Sequence, residues 1–240
     1  MLRLPQVIAG LALLTGALSC AAQGFVNAYE IPSSVSLNVI MNQLMHERLN
    51  KTLHHWDRHE EQQKAKKKAA AASLPLARPT GAAATELARR LPKEEAGAGQ
   101  AAYRQAFDYH EQVIRKFDLP SGDLGVALAS CIAGAWMAYN NRPFPDEHYL
   151  PLVAQMRQVV GSALPSLTAQ ERGTTYEQLA IAGMILASSQ ITWQRSPRGP
   201  AADELKQRMR TQGGETLTRM LGMPPERVGI GPSGLVALKR

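Results

Sequence analysis

From residue 101 onward the apolar positions keep a helical rhythm. Tyr103, Phe107, Val113, Ile114 and Phe117 share one face of a helix expected over 101–117, which Pro120 ends. Ser121 and Asp123 offer caps for a second helix over 124–139. That stretch is apolar nearly all round, the mark of a segment enclosed by the rest of the domain. The turn-rich run 140–146, Asn-Asn-Arg-Pro-Phe-Pro-Asp, follows. A third helix over 147–162 faces Leu150, Val153, Met156 and Val160 inward, and Pro165 closes it. Ser166 or Thr168 caps a fourth over 169–193, whose later part, 179–191, is again strongly apolar. Pro197 and Pro200 break the chain before a fifth helix over 201–221, rich in charge and interrupted by Gly213-Gly214. The tail 228–238 forms a short hairpin or an extended strip, and its Gly-Pro-Ser-Gly run supports a reversal.

The pattern therefore predicts an all-α fold, a compact bundle of about five helices with a short extended or hairpin tail. Small residues mark where its central helices meet. Ala127, Cys131 and Ala135 are spaced by four, as are Ser130, Gly134 and Ala138, while Ala180, Gly183 and Ala187 lighten the fourth helix. Small side chains let backbones approach closely, so these faces are expected to cross. Each apolar stretch falls short of the roughly 20 residues a bilayer span needs, so no transmembrane span is expected in the mature chain.

Ahead of the bundle the pattern changes. Residues 1–22 read as an export signal, with Arg3 at the positive start, an apolar run over 7–18, and small residues Ser19 and Ala21 for cleavage. Within 23–61, Val39, Ile40, Leu44, Met45, Leu49 and Leu53 recur at helical spacing, predicting an amphipathic helix. Residues 62–99 break composition with Lys64, Lys66, Lys67 and Lys68, an alanine run and Pro75, Pro79 and Gly81. This predicts a flexible, disordered basic tether, leaving 100–240 as the helical domain.

Composition agrees with helices. Apolar residues make up 45% of the 240 and aromatics 5%, a mix poor in what strands prefer. The formal charge of +7 permits weak contact with anionic membrane or cell-wall surfaces. An exported chain rarely meets nucleic acid, so no nucleic-acid partner is expected. The chain has two cysteines. Cys20 follows the signal's apolar run, where bacterial lipoproteins are cleaved and acylated, although Ala17-Leu18-Ser19 departs from the usual lipobox. Removed or acylated, Cys20 is not available to Cys131, so the mature chain has no internal disulfide.

Candidate chemistry is sparse. His55 and His59 stand four apart, on one face of a helix, as two imidazoles holding one metal would. They lack the His-Glu-x-x-His context, and a solvated polar face is the favoured reading over a metal site. His110, Glu111 and Glu177 are the acid–base candidates of the helical domain, provided the fold brings them together. Cys131 lies in an apolar helix without a basic neighbour and reads as core. Gly229, Gly231 and Gly234 read as a turn rather than a phosphate loop, since no helix follows them. No cofactor is implied.

Tyr139-Asn140, Phe144-Pro145-Asp146, the run from Pro151 to Arg157, and Tyr176-Glu177-Gln178-Leu179-Ala180 resemble the core of an uncharacterised family of exported bacterial proteins. The resemblance covers about 87–236 and implies export and a helical domain, with no activity or functional residues attached. The expected location is periplasmic or secreted, with an outer-membrane lipoprotein as the variant. The expected role is a non-catalytic protein-interaction module of the envelope or a secretion system, its partner another envelope or secreted protein. The alternatives are an envelope hydrolase using Glu and His, and a metal-binding or membrane-surface role for the N-terminal helix.

Overall fold

A computed structural model describes residues 74–161, 167–196 and 198–238. The expected signal, the amphipathic helix, the lysine run, Cys20, His55 and His59 lie outside the described residues. Within them the fold is a helical bundle closed by a hairpin: α1 (Ala82–Ala88), α2 (Lys93–Lys116), α3 (Leu124–Asn140), α4 (Tyr149–Gly161), α5 (Ala169–Arg195), α6 (Pro200–Leu221), β1 (Val228–Gly231) and β2 (Gly234–Ala237).

The apolar run of α3 fills the centre. Only Met137, Tyr139 and Asn140 along it are not buried, and α4, α5 and α6 all pack on it. Asp123 caps its start, accepting from Gly125 N at 2.8 Å and Val126 N at 3.2 Å. The other Asp123 oxygen takes Arg157 Nε at 2.7 Å, which ties α4 to the same point. At the far end Asn141 takes a left-handed conformation, φ 54°, and stops the helix. Thr168 caps α5, through a reciprocal box with Glu171.

The small-residue faces cross as their spacing predicts. At Gly183 a Cβ would lie 2.6 Å from the Ser130 carbonyl oxygen, so α5 rests directly on the α3 backbone. Gly134 meets the Gly183 carbonyl in return. The same logic corrects the expected interruption of the fifth helix. α6 runs unbroken through Gly213-Gly214, because Gly213 sits where a Cβ would be 2.6 Å from the Ala135 oxygen. Those glycines fit one helix to another rather than breaking one.

A second difference concerns the expected tether. Residues 74–99 belong to the folded unit: Ala77 donates its N–H to Gly122 O at 2.7 Å, and α1 buries Ala83, Ala84, Leu87 and Ala88 against α2 and α5. The first long helix consequently starts at Lys93 rather than at 101. The physical reason is tertiary: a seven-residue alanine-rich helix has no stability of its own, and here two longer helices cover its small face.

The tail is the expected hairpin, with Gly231 opposite Gly234 in antiparallel register and Gly234 at φ 100°, a conformation only glycine holds without strain. β2 lies on α4, where the Gln155 side chain meets it. No helix among the described residues is long and apolar enough to cross a membrane.

Candidate functional site

The acid–base candidates divide between two places. His110 and Glu111 lie on α2 and face Tyr176 on α5. Tyr176 Oη donates to Glu111 Oε1 at 2.6 Å, and His110 Nδ1 stands 3.6 Å from that same oxygen. The His110 ring is fully enclosed, edge-on to Tyr176 at 5.6 Å and stacked on Phe107 at 6.4 Å. Among the described residues its Nε2 has no hydrogen-bond partner. Glu111 reaches the surface with 15% of its side chain exposed.

Burial acts to raise the Glu111 pKa, but the His110 ring and the hydroxyls of Tyr176 and Ser121 outweigh it and bring it down to about 2. Burial, and then the Glu111 carboxylate, push the Tyr176 phenol above its usual range. The pair therefore holds one charge state, with Glu111 an ionised acceptor and Tyr176 a protonated donor. General acid–base catalysis needs a group whose pKa lies near the working pH, and both members of this pair are displaced away from neutrality.

Glu177 follows Tyr176 in sequence, and on an α-helix that turns it about 100° away, toward α1. Its side chain is 1% exposed. Oε1 accepts from the Thr80 and Gly81 N–H groups, the latter at 2.7 Å, and Oε2 accepts from Ala83 N at 2.9 Å. Gly81, the residue before α1, supplies no side-chain cap of its own. A carboxylate from another helix thus satisfies donors that a local Ser or Asp would otherwise take, and it complements the positive end of the helix. The fold accordingly brings His110 and Glu111 together with Tyr176, and gives Glu177 separate work.

Cys131 is core, as expected: burial pushes its thiol up to about 12, and its Sγ lies 3.6 Å from Met220 Sδ. Among the described residues no group of three or more His, Cys, Asp or Glu side chains could hold a metal ion.

One arrangement escaped the sequence reading. At the end of the bundle where α3 and α5 finish, four cations lie over aromatic rings. Arg142 covers Trp136 at 4.5 Å, and Arg210 covers Tyr139 at 4.6 Å. Arg198 and Lys206 both cover Trp193, at 4.5 and 5.6 Å. Arg142 and Arg198 follow the ends of aromatic-bearing helices, where the helix dipole favours positive charge, but Lys206 and Arg210 lie inside α6 and carry no such signal.

No curated protein and no solved structure matches the chain. A protein-family model, described as a family of unknown function (DUF6683), matches residues 3–238, which takes in the histidine-rich and lysine-rich segments as well as the helical domain.

Proposed function

Since the chain belongs to DUF6683, a family of unknown function, its role has to come from its own residues, and we propose that it is an exported helical module that acts by surface contact with another envelope or secreted protein. One observation carries this reading. The buried carboxylates of the folded unit are consumed in holding helices together: Glu177 caps α1, and Asp123 caps α3 while pairing with Arg157. Glu111, the remaining carboxylate candidate, is locked to Tyr176 with its acidity far from neutral, and His110 beside it is fully enclosed. A scaffold whose buried carboxylates are committed to helix ends and a buried ion pair fits a binding module better than an envelope hydrolase. Export rests on residues 1–22, whose charge, apolar run and small residues have the form of a signal.

The test expresses the full chain with a C-terminal tag, fractionates the cell, and captures partners from the envelope and the medium. The expected result is a chain shortened at its start and recovered outside the cytosol with one stoichiometric protein partner. Unprocessed chain in the cytosol would overturn the export half. Processed chain with no stoichiometric partner would overturn the interaction half.

A further inference from the structure

We propose that the cation-covered end of the bundle is the docking surface, and that it receives a carboxylate-rich face of a partner protein; the proposal rests on the interaction reading above and names its site. Lys206 and Arg210 stand four apart on α6 and so share one face. Trp136 and Tyr139, three apart, share a face of α3. Gly213 lets α6 lie close on α3 beside Ala135 and Tyr139. Arg142, just past α3, and Arg198, just before α6, are exposed, as are Lys206 and Arg210. Among the described residues none of these four cations is in an ion pair.

Stabilisation of the fold is an incomplete account of them. An exposed cation over a ring adds little to stability, and stacking uses only the face of a guanidinium. The N–H groups of an arginine lie in the guanidinium plane, in the fork that matches a carboxylate, and Arg210 gives one of its own, at Nη1, to Tyr139 O at 3.5 Å. Stacking also fixes the long side chains before any partner arrives, which lowers the entropy lost on binding. Arginine is moreover among the residues that carry most of the binding energy at protein interfaces. A membrane surface fits less well. Trp136 is buried and Trp193 is covered by two cations, so neither ring is free to enter a lipid interface.

The experiment titrates the full chain with poly-L-glutamate and, separately, with vesicles of phosphatidylglycerol, following tryptophan fluorescence at several salt concentrations. R198E/K206E/R210E is compared with R89E/R90E/R104E, which reverses equally many exposed charges at the α1–α2 end. The expected result is poly-glutamate affinity weakened about tenfold or more in the first variant and within about twofold in the second. Equal weakening in both would make net charge the cause and overturn the proposal. Tighter binding to the vesicles than to poly-glutamate, lost in the first variant, would overturn it in favour of lipid. R198Q/K206Q/R210Q removes the charge without adding a new one and serves if the reversed variant fails to fold. A partner captured from cells equally well by R198E/K206E/R210E sinks this surface and leaves the interaction reading standing. Capture of no partner sinks that reading, while the poly-glutamate comparison still decides the surface.

Discussion

The Gln155 side-chain amide makes both hydrogen bonds that the Leu235 backbone has to offer. Its Oε1 accepts from Leu235 N at 2.7 Å and its Nε2 donates to Leu235 O at 3.1 Å. A helix side chain thus plays the part of a neighbouring strand, covering the outer edge of a two-stranded sheet that could not stand alone. Gln155→Leu keeps the volume and orphans both buried backbone groups, so it is expected to lower stability by about 2–4 kcal/mol. Urea unfolding checks the magnitude, and hydrogen exchange should show the Leu235 amide losing protection. An unchanged midpoint would mean that water replaces the amide at no cost.

Glu177 offers a sharper contrast, because three backbone donors converge on it. Glu177→Ala should cost about 3 kcal/mol or more, the penalty for buried N–H groups left without an acceptor. Glu177→Gln retains one acceptor oxygen, and its loss should be clearly smaller. In both variants amide exchange should rise first in α1, which has no cap of its own. Exchange that rises uniformly across the bundle would show that α1 is no separable unit.

These two residues also mark how far the sequence could be read. The centre of the fold was legible because its causes are local: the apolar run of α3, the Asp123 cap, and the Thr168–Glu171 box each lie within a few positions of what they act on. α1 was not legible. Its cap stands 96 positions from Gly81, and its composition is that of a linker. Gly213-Gly214 misled for the same reason, since a glycine that fits one helix to another looks like one that breaks a helix. Of the site, His110, Glu111 and Glu177 could be singled out by type, but only the fold shows that Tyr176, 65 positions from Glu111, joins the His110 ring in lowering its pKa. The stacked cations were equally hidden, because their rings sit on neighbouring helices or across turns.

The Glu111–Tyr176 pair makes stability depend on acidity with a defined sign. The carboxyl is lowered from 4.5 to about 2 on folding, so the folded state binds this proton more weakly than the unfolded one. Its contribution is therefore fully present above pH 4.5 and is lost as pH falls toward 2. Discounted for its partial exposure, the contribution is on the order of 1–2 kcal/mol. Unfolding midpoints measured from pH 6 down to pH 2 should fall less steeply in Glu111→Gln than in the parent chain. Tyr176→Phe should flatten the same stretch in part, since it removes one donor and leaves the His110 ring. Identical slopes in all three chains would show that other carboxyls govern the acid limb.

The closeness of α3 and α5 predicts opposite outcomes for one substitution at two sites. At Gly183 a Cβ would stand 2.6 Å from the Ser130 oxygen and 2.8 Å from the Cys131 Cα, with backbone on the opposing side and no flexible side chain to yield. Gly183→Ala must therefore push two central helices apart, at a cost of about 1–3 kcal/mol or more. Gly97 lies inside α2 on an exposed face, and a Cβ there meets nothing within 4 Å. Gly97→Ala removes only the conformational freedom of the unfolded chain, and should add about 0.4–1 kcal/mol. The two urea midpoints should move in opposite directions from the parent value. If Gly183→Ala matched the parent, the helices could not be in backbone contact there, and the small residues at Ser130, Gly134 and Gly183 would need another explanation.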